Sequence, residues 1–492
     1  MRMSKLFNHF IDGRNHEGTD RFPVINPATG DIFGEAARGT KDDIDNAVDV
    51  ARKTFRASTW RDLDGRLRGN LLRQIGRMIR KHAKRLASME VTDAGKTVGD
   101  AEAEIELAAQ IWDYYGDLTQ TSVGTINAVP APDQFDFTLR QPIGVIGIII
   151  PWNFPFVLTA LKLAPALAAG NTTVLKPAED TPTTASLLGE IFYEADLPSG
   201  VVNIVLGLGD EAGAALAEHQ GIDKLVFTGS TDVGSKVMTA AAKNITDVTL
   251  ELGGKSANII FADANREQAL ASASFGCLLH NGQNCAAGTR LLVEEKIYES
   301  FLNELSDRFE KVRVGDPTKI ATHLGPIINS KQLQRIESYV EIGKGEGAEL
   351  LAGGNRPIDE GLSSGYYFRP TLFGSADPMM RICREEIFGP VISCTRFDDV
   401  DQAIEIANDS AYGLAAGLCT RDLMKAHHVA RELEAGTVWI NTFNGIALNA
   451  PFLGWKRSGI GVERGIEGLH DHMQLKHVRI DMSENTLPVM GD

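Results

Sequence analysis

The stretch Val201 to Phe227, VVNIVLGLGDEAGAALAEHQGIDKLVF, joins two runs of branched apolar residues through an alanine-rich segment. It predicts a strand over Val201 to Val205, a helix over Glu211 to Glu218 and a strand over Lys224 to Phe227. A parallel pair of strands needs a crossover connection, usually a helix, and this segment provides one. The stretch therefore predicts an α/β fold with a parallel sheet.

The same alternation continues on both sides of this unit. A strand at Thr173 to Leu175 and a helix at Thr183 to Ala195 precede it, and a helix at Val233 to Ala242 follows. Successive strand–helix steps of this kind build dinucleotide-binding sheets. Apolar residues at helical spacing predict three helices further upstream, over Asp42–Arg56, Leu63–Leu86 and Asp93–Tyr114.

Composition and charge limit the class of protein. The chain has 492 residues with 49 basic and 65 acidic side chains, a net charge of −16, and no basic block. The length suggests two large lobes, and the charge argues against nucleic acid or an anionic membrane as a partner. Five cysteines without CxxC or Cys/His spacing indicate reduced thiols, no metal site and a cytoplasmic location. The N-terminus has no apolar signal region, and the apolar run Val145 to Ile150 is far too short to span a bilayer.

A reactive thiol is indicated at Cys285, within FGCLLHNGQNCAAGTR (Phe275 to Arg290). A Gly-Gln-Asn turn precedes it and small residues follow, so a substrate carbon can approach the sulfur and backbone N–H groups can face an oxyanion. Such settings stabilise the reactive thiolate. An isolated cysteine is more often a small buried hydrophobe, so this interpretation depends on other motifs.

Three further motifs support a catalytic interpretation. In TLELGGKS, Glu251 is a carboxylate beside two glycines and could move between a resting and a reacting position. In IIIPWNFPF, Asn153 can donate amide protons to a developing negative charge. In FTGSTDVG, a strand runs into a Gly-Ser-Thr turn and a helix beginning near Asp232, which directs free N–H groups at a phosphate.

Together with VLKPAED, these motifs show that the chain resembles the aldehyde dehydrogenase superfamily, NAD(P)-dependent enzymes that oxidise aldehydes to carboxylic acids. Seven motifs occur in the family's order and at its spacing: PWNFP, LKPAE, FTGST, ELGGKS, GQNC, EEIFGPV (Glu385 to Val391) and PFLGWKRSG (Pro451 to Gly459). The resemblance covers the chain from about Phe7 to Val478. Each motif is weak alone, but their shared order leaves little room for coincidence.

The resemblance implies a Rossmann-like cofactor-binding lobe, a second α/β catalytic lobe and a small β-hairpin arm for oligomerisation. The cofactor-binding domain is expected at residues 1–122 and 143–253, the catalytic domain at 254–457 and the arm at 123–142 and 473–482. Thr121 to Pro130 and the following FDFTLRQPIG alternate like a projecting hairpin, and Gln474 to Ile480 is predicted to be a strand that could pair with it. Exposed strand edges predict a homodimer or homotetramer.

The resemblance also implies covalent catalysis. The Cys285 thiolate attacks the aldehyde to give a thiohemiacetal, whose oxyanion is held by the Asn153 amide and the Cys285 backbone N–H. Loss of hydride to the nicotinamide gives a thioester, and Glu251 acts as general base on the water that hydrolyses it. Lys176 is assigned to the catalytic group as well as to the cofactor site.

NAD is the expected cofactor, with NADP less favoured. Lys176 and Glu179 match the pair that meets the adenosine ribose, and an ionised Glu179 accepts hydrogen bonds from ribose hydroxyls but repels a 2′-phosphate. Gly207 to Gly213, GLGDEAG, resembles a dinucleotide fingerprint with one extra residue, which alone favours an ordinary turn. The residues assigned to cofactor binding are Ile149, Pro151, Trp152, Asn153, Lys176, Glu179, Gly209, Gly213, Phe227, Gly229, Ser230, Val233, Leu252, Gly253, Glu386 and Phe388.

The substrate pocket is assigned from position relative to the motifs. Many relatives carry Trp where Leu161 stands and Phe where Leu279 stands, so the tunnel is expected to be wider and more aliphatic. No arginine is expected in the lining, which disfavours a carboxylate-bearing semialdehyde, and a thin aromatic cage disfavours betaine aldehyde. A medium apolar or aromatic aldehyde is expected, although Lys162 and His280 flank the site and keep the semialdehyde open. The assigned residues are Phe154, Leu158, Leu161, Leu279, Asn284, Phe443, Asn444, Ile446 and Phe452.

Three alternative functions remain. A CoA-acylating dehydrogenase would share the fold and Cys285, but members of that branch commonly lack the glutamate found at Glu251. A thiol hydrolase that works without NAD needs only Cys285 and Glu251, and the Lys176, Glu179 and Phe227–Gly234 set argues against it. A non-catalytic protein on this scaffold is disfavoured because none of the catalytic positions is altered.

Overall fold

A computed structural model describes residues 5–121, 123–130 and 132–483. Residues 1–4 and 122 of the predicted cofactor domain and residue 131 of the predicted arm lie outside the described residues. The described part contains two large sheets, each covered by helices, and three small sheets.

The first sheet is built mostly from the chain up to Glu251. Its central strands carry only buried residues, because helices cover both faces. The elements of this part are β1 (Lys5–Phe7), β2 (His9–Ile11), β3 (Arg14–His16), β4 (Arg21–Ile25), β5 (Ile32–Ala37), α1 (Lys41–Arg56), α2 (Gly65–Lys81), α3 (Ala83–Asp93), α4 (Val98–Leu118), β6 (Ile126–Asn127), β7 (Gln134–Pro142), β8 (Val145–Ile149), α5 (Pro155–Ala168), β9 (Thr172–Lys176), α6 (Thr183–Glu194), β10 (Val202–Ile204), α7 (Ala214–Glu218), β11 (Lys224–Thr228), α8 (Thr231–Ala242) and β12 (Asp247–Glu251).

The strand order of this first sheet is β22-β12-β11-β8-β9-β10-β2-β3, where β22 comes from the C-terminal part of the chain. Strands β12, β11, β8, β9 and β10 run parallel, and the two ends of the sheet are antiparallel. In open parallel sheets, ligands bind at the carboxyl ends of the strands, so the loops after β8, β9, β11 and β12 are the places to look for a site.

The second sheet is built from the chain after Glu251, and six of its seven strands run parallel in the order β15-β16-β17-β14-β13-β19-β20. The elements of this part are β13 (Ala257–Ile260), α9 (Arg266–Leu278), β14 (Arg290–Glu294), α10 (Tyr298–Glu310), α11 (Ser330–Gly345), β15 (Glu349–Ala352), β16 (Thr371–Gly374), α12 (Arg381–Arg384), β17 (Val391–Phe397), α13 (Val400–Asn408), β18 (Tyr412–Gly413), β19 (Ala415–Cys419), α14 (Leu423–Glu432), β20 (Thr437–Ile440), β21 (Trp455–Lys456), β22 (Gly459–Ile460), α15 (Gly465–His470) and β23 (Met473–Asp481).

A separate three-stranded sheet has the order β23-β7-β6. Strand β23 pairs antiparallel with β7 along its whole length, from Met473 opposite Pro142 to Asp481 opposite Gln134. Its apolar side chains are largely exposed, among them Ile126, at 75%, and Leu475, at 60%. This sheet therefore presents an apolar surface that the described part of the chain leaves uncovered.

The predicted fold class, a Rossmann-like α/β lobe with a second α/β lobe, is confirmed in its strands and helices. Two upstream helices differ from expectation. The helix predicted over Leu63–Leu86 is two helices, because the backbone leaves the helical conformation at His82. The helix predicted from Asp93 begins at Val98, since Gly95 has a φ of 69° and the Thr97 side chain caps the following turn. Within the described residues, no helix is long and apolar enough to cross a membrane.

Candidate active site

The loop that carries Cys285 is held in an unusual backbone conformation. Helix α9 ends at Leu278, and His280, Asn281 and Gly282 follow with φ values of 51°, 58° and 66°. Two successive non-glycine residues in the left-handed region are strained, so surrounding contacts must hold them. The Asn281 amide does so by donating to the carbonyl oxygens of Gly325 and Pro326, at 3.0 and 2.7 Å.

Cys285 itself lies between the two large sheets. Its side chain packs with Ala286, Leu414 and Phe452, and a Cβ on Gly254 would collide with its carbonyl oxygen. Within the described part of the chain, the Cys285 backbone N–H has no hydrogen-bond acceptor, whereas Ala286 N–H donates to Asn284 Oδ1 at 3.1 Å. A free N–H beside the sulfur is the donor that the predicted oxyanion site needs.

Asn153 reaches the cysteine loop from the turn that begins α5. Its Nδ2 donates to the carbonyl oxygen of Gln283 at 2.9 Å, and its side chain is buried. This bond uses one of the two amide protons and leaves the second for another acceptor. The structure therefore brings Asn153 to the loop of Cys285, as its predicted role requires.

Glu251 ends strand β12, where its backbone pairs with Thr228 of β11. Its side chain is only 4% exposed, and neither carboxylate oxygen has a hydrogen-bond partner in the described residues. Burial, followed by the nearby carboxylate of Glu463, raises the pKa of Glu251 well above its usual range. An unpaired carboxyl group with a raised pKa is suited to proton transfer near neutral pH.

The resting thiol is less acidic than its sequence setting indicates. Burial, with Glu251 and Glu386 close by, raises the pKa of Cys285 to about 12. Desolvation therefore outweighs the Ala286 amide, and the expectation that the surroundings stabilise the thiolate stays a prediction. The sulfur must lose its proton to a base when substrate is present.

Behind Glu251 lies a buried group of charges that the motifs do not include. Lys162 of α5, fully buried, forms an ion pair with Glu463, which is also buried. Glu463 is followed by Arg464, whose guanidinium lies 4.4 Å from the centre of the Phe452 ring. The available signal was Lys162 itself, since a lysine in an apolar helix requires an acidic partner.

The predicted adenosine side of the cofactor site is assembled at the end of β9. Lys176 Nζ donates to Glu179 Oε2 at 2.9 Å. A Cβ on Gly209 would lie 3.7 Å from Glu179 Oε1, and one on Gly213 would lie 3.8 Å from Lys176 Cδ. The two glycines belong to a π-helical turn rather than to the start of the predicted helix. These four residues therefore form one group, apart from Cys285, and the catalytic assignment of Lys176 stays a prediction.

The predicted phosphate turn follows β11. Ser230 caps helix α8, with its Oγ accepting from Val233 N–H at 3.3 Å, and Val233 is exposed. The Phe227 ring packs against Gly229, where a Cβ would collide with it. The first turn of α8 thus lies open, as a phosphate site at a helix N-terminus requires.

The residues predicted to contact the nicotinamide come from both lobes. Glu386 Oε1 accepts from Gly254 N–H at 2.9 Å, and a Cβ on Gly253 would collide with the Glu386 carboxylate. Phe388, with a φ of 63°, packs edge-on against Trp152 at 5.3 Å between ring centres. The remaining assigned residues, Ile149, Pro151 and Leu252, lie at the ends of the adjacent strands. The space beside Gly209 and Gly213, where an added Cβ would lie 3.7 Å or more from its neighbours, and the acceptor carboxylates of Glu179 and Glu386 fit a dinucleotide.

The residues assigned to the substrate pocket are not all alike. Leu161 and Phe452 are buried, and Leu158, Leu279 and Asn284 are partly exposed. Phe443 packs into a socket of Gly276, Gly288 and Gly417, while Phe154 lies against His280, at 5.2 Å between ring centres. Asn284 donates to Asn444 Oδ1 at 3.2 Å, and Ile446 is 52% exposed. Their role in substrate binding stays a prediction.

Three expectations about charge in this region are wrong. Lys162 offers no free positive charge, because Glu463 neutralises it. Burial and the nearby Lys96 lower the pKa of His280 well below its usual value, so the imidazole is neutral. The lining is not free of arginine, since Arg464 stacks on Phe452.

Comparison with known proteins agrees with this geometry. A sequence model of the aldehyde dehydrogenase family matches residues 14–478. A betaine aldehyde dehydrogenase of Bacillus subtilis is 41% identical over 471 residues, which cover 95% of this chain and 96% of that protein.

Solved structures of similar proteins match this chain over nearly its whole length. A crystal structure of betaine aldehyde dehydrogenase from Staphylococcus aureus in complex with NAD+ has a TM-score of 0.97 and 37% identity, covering 99% of this chain and 97% of that one. A Y-to-L point mutant of the same enzyme, with NAD+ and a BME-modified cysteine, has a TM-score of 0.96 and 38% identity, covering 98% and 97%. A putative aldehyde dehydrogenase from Burkholderia cenocepacia has a TM-score of 0.96 and 38% identity, covering 98% and 99%. The chain therefore belongs to the aldehyde dehydrogenase family and is an NAD-dependent enzyme that oxidises an aldehyde through a cysteine.

Proposed function

We propose that Cys285 is the nucleophile and that the product is a free carboxylic acid. The observation that carries this proposal is the meeting of three side chains between the lobes. Glu251 is close enough to Cys285 to raise the pKa of the thiol, and Asn153 is hydrogen-bonded to the loop of Cys285. The sulfur forms a bond to the aldehyde carbon as its proton leaves, which gives a thiohemiacetal.

The oxyanion of this adduct is assigned to the Asn153 amide and the Cys285 N–H. Asn153, in the turn that begins α5, is hydrogen-bonded to the loop of Cys285, and the Cys285 N–H has no competing acceptor in the described residues. NAD, when bound, accepts a hydride from the adduct. The thioester then remains on Cys285, where the low polarity of the surroundings protects it until a water is activated.

Glu251 is assigned the role of general base on that water. The base must be ionised, and because its pKa is raised, the ionised fraction grows as the pH rises towards neutrality. Its two free oxygens can accept a proton from water without first breaking a hydrogen bond. This favours hydrolysis over transfer to CoA, in which no water is deprotonated.

We propose the domain division expected from sequence, with residues 1–122 and 143–253 holding NAD and 254–457 holding the nucleophile. The pairing of β22 with β12 supports an end of the catalytic domain before Gly459. The arm, 123–142 and 473–482, is proposed to join copies into a homodimer or homotetramer, because its sheet leaves apolar residues exposed. A cytoplasmic location is supported by five cysteines that are all free.

For the substrate, we propose a neutral or anionic aldehyde rather than a cationic one. Two of the relatives named above, from Bacillus subtilis and Staphylococcus aureus, are betaine aldehyde dehydrogenases, and the betaine aldehyde cation is the second candidate here. Three of the assigned pocket positions are leucines, and the aromatic ring of Phe452 already has the Arg464 guanidinium against it. A quaternary ammonium would meet a like charge at the ring that should attract it.

A panel of aldehydes with NAD and with NADP tests this function, with absorbance of the reduced nicotinamide as the measurement. A neutral aldehyde, a carboxylate-bearing aldehyde and betaine aldehyde of similar size should be compared. Acid should be released without CoA. A requirement for CoA, or turnover with betaine aldehyde alone, would contradict the proposal.

A further inference from the structure

Arg464 is the charged residue of this region that the proposed chemistry does not use. Its guanidinium forms no hydrogen bond or ion pair within the described part of the chain, and its Nε is buried without an acceptor. Its neighbour Glu463 is already paired with Lys162. An arginine enclosed without an anionic partner is costly, because water is removed from the guanidinium and nothing replaces it.

The position of this guanidinium is fixed by the backbone and by an aromatic ring. Arg464 has a φ of 61°, which is rare for a residue with a long side chain. The segment is held by two backbone hydrogen bonds between Phe452 and Glu463, at 2.7 and 2.8 Å. The Phe452 ring supports the guanidinium at 4.4 Å and packs with Cys285 on the same side of the second lobe. Strain kept at a site next to reacting groups indicates a function.

The guanidinium is close to the reacting groups and has some contact with solvent. It interacts electrostatically with both Glu251 and Cys285. Arg464 is partly exposed to solvent, although protein atoms lie on every side of its guanidinium. Cys285 is likewise partly exposed and surrounded by protein atoms. Arg464 therefore lies near enough to Cys285 to interact with its charge, and both residues keep some contact with solvent.

The balance of charge in this space favours an anion. Lys162 and Glu463 cancel each other, and the Cys285 thiol is neutral. Glu251 is uncharged whenever it is protonated, which its burial favours. While Glu251 is protonated, Arg464 leaves one positive charge uncompensated, with its donors arranged in the fork that binds a carboxylate through two parallel hydrogen bonds. Ionised Glu251, the form that acts as base on water, partly balances this charge.

Building on the proposed function, we infer that Arg464 determines specificity by binding the carboxylate of an aldehyde that has an acid group at its other end. The substrate class is a short ω-oxoacid, whose carboxylate pairs with Arg464 while its aldehyde carbon reaches Cys285. The ground for disfavouring a semialdehyde, the absence of arginine from the lining, does not hold in the folded protein.

Matched substrates test this inference. The kcat/KM for 4-oxobutanoate should be compared with that for butanal in the wild type, in Arg464→Leu and in Arg464→Lys. The ratio of kcat/KM for 4-oxobutanoate to kcat/KM for butanal should exceed one in the wild type. In Arg464→Leu this ratio should fall by about 10- to 100-fold, because a charge-assisted hydrogen-bond pair is lost. The change should come mainly from a higher KM for 4-oxobutanoate. Arg464→Lys should give an intermediate ratio, since it keeps the charge but not the fork.

Control variants and measurements distinguish a change in substrate specificity from a loss of folding or of catalysis. Arg431→Leu removes an exposed guanidinium on α14 that pairs only with Glu432 and should leave the ratio at the wild-type value. Thermal unfolding and NAD titration show whether each variant is folded. If Arg464→Leu does not fold, Arg464→Gln, which keeps the length of the stem, takes its place in the same comparison.

A binding measurement tests the role of Arg464 without requiring catalysis, so it can fail or succeed independently of the proposed function. Succinate, which carries the same distal carboxylate, should bind Cys285→Ala with NAD present, and Arg464→Leu in that background should weaken this binding at least tenfold. An unchanged substrate ratio, or an equal fall in kcat for both substrates, would overturn the inference and assign Arg464 to the support of Glu251. Failure of all aldehydes in the panel, with succinate binding still dependent on Arg464, would overturn the proposed function alone.

Discussion

Replacing Glu179 by Gln should shift cofactor preference from NAD towards NADP. The carboxylate is held by Lys176 at 2.9 Å, beside Gly209. Burial raises the pKa of Glu179, but the charge of Lys176, its hydrogen bond and the backbone amides of Glu179 and Gly209 together outweigh burial and lower the pKa, so the group is ionised at neutral pH. A 2′-phosphate placed at this ribose site would meet that negative charge directly.

The size of the effect follows from distance and exposure. Two unit charges about 4 Å apart repel by ~1 kcal/mol in bulk water and by ~4 kcal/mol near a protein surface. The Glu179 side chain is 42% exposed, so solvent screening places the repulsion in the lower half of that range. We expect about 1–2 kcal/mol, which is a change of roughly 5- to 30-fold in the ratio of kcat/KM for NADP to kcat/KM for NAD.

Initial rates with each cofactor at saturating aldehyde give this ratio. Gln keeps the shape of Glu and can still accept a hydrogen bond from Lys176, so the lysine remains in place. Asp210→Asn, an acidic residue in the same turn that makes no ion pair among the described residues, is a matched control and should change the ratio little. An unchanged ratio in Glu179→Gln would refute the reasoning and place discrimination elsewhere in the adenosine site.

Four further outcomes are expected. Cys285→Ala should abolish turnover and keep NAD affinity near the wild-type value by calorimetry; appreciable steady-state turnover would contradict the covalent mechanism. Glu251→Gln should slow hydrolysis of the thioester by about 10²–10⁴ and give a burst of reduced cofactor with an acyl-enzyme visible by mass spectrometry, and a loss of the burst would assign Glu251 to activation of the thiol. Burial raises the pKa of Glu386 to about 7, so NAD affinity should fall as the pH drops below about 7, by up to about tenfold per unit, and Glu386→Gln should flatten this dependence. Light scattering should give a dimer or tetramer, whereas an active species near 53 kDa would show that the arm needs no partner chain.

The strands and helices of the first sheet could be predicted because their pattern is local. Val201 to Phe227 contains its own strands and crossover helix, and strand β11 ends one residue beyond the prediction. The π-helical turn at Gly209–Gly213 was missed because its two glycines give no preference between turn types. The separation of α2 from α3 was missed because apolar spacing continues across His82.

The charged groups around Glu251 could not be predicted from local sequence patterns. Lys162 and Glu463 are 301 residues apart in sequence, and only the fold brings them together. The position of Arg464 depends on a left-handed backbone that its residue type disfavours, so no propensity predicts where its guanidinium lies. The raised pKa of Cys285 likewise depends on the burial of the whole loop, which the small residues beside it do not reveal.

The C-terminal segment closes the first lobe, and this affects the order in which the protein can fold during its synthesis. Strand β12 pairs with β22 (residues 459–460), Lys162 forms its ion pair with Glu463, and β7 pairs with β23 (residues 473–481). Each of these partners leaves the ribosome after the whole second sheet. Until then β7 has an open edge and Lys162 lacks its anion, so the first lobe cannot reach its final stability while the chain is being made. A nascent chain of this enzyme therefore carries an unfinished first lobe for most of its synthesis, and residues 459–463, which follow the second sheet, complete the site near Glu251.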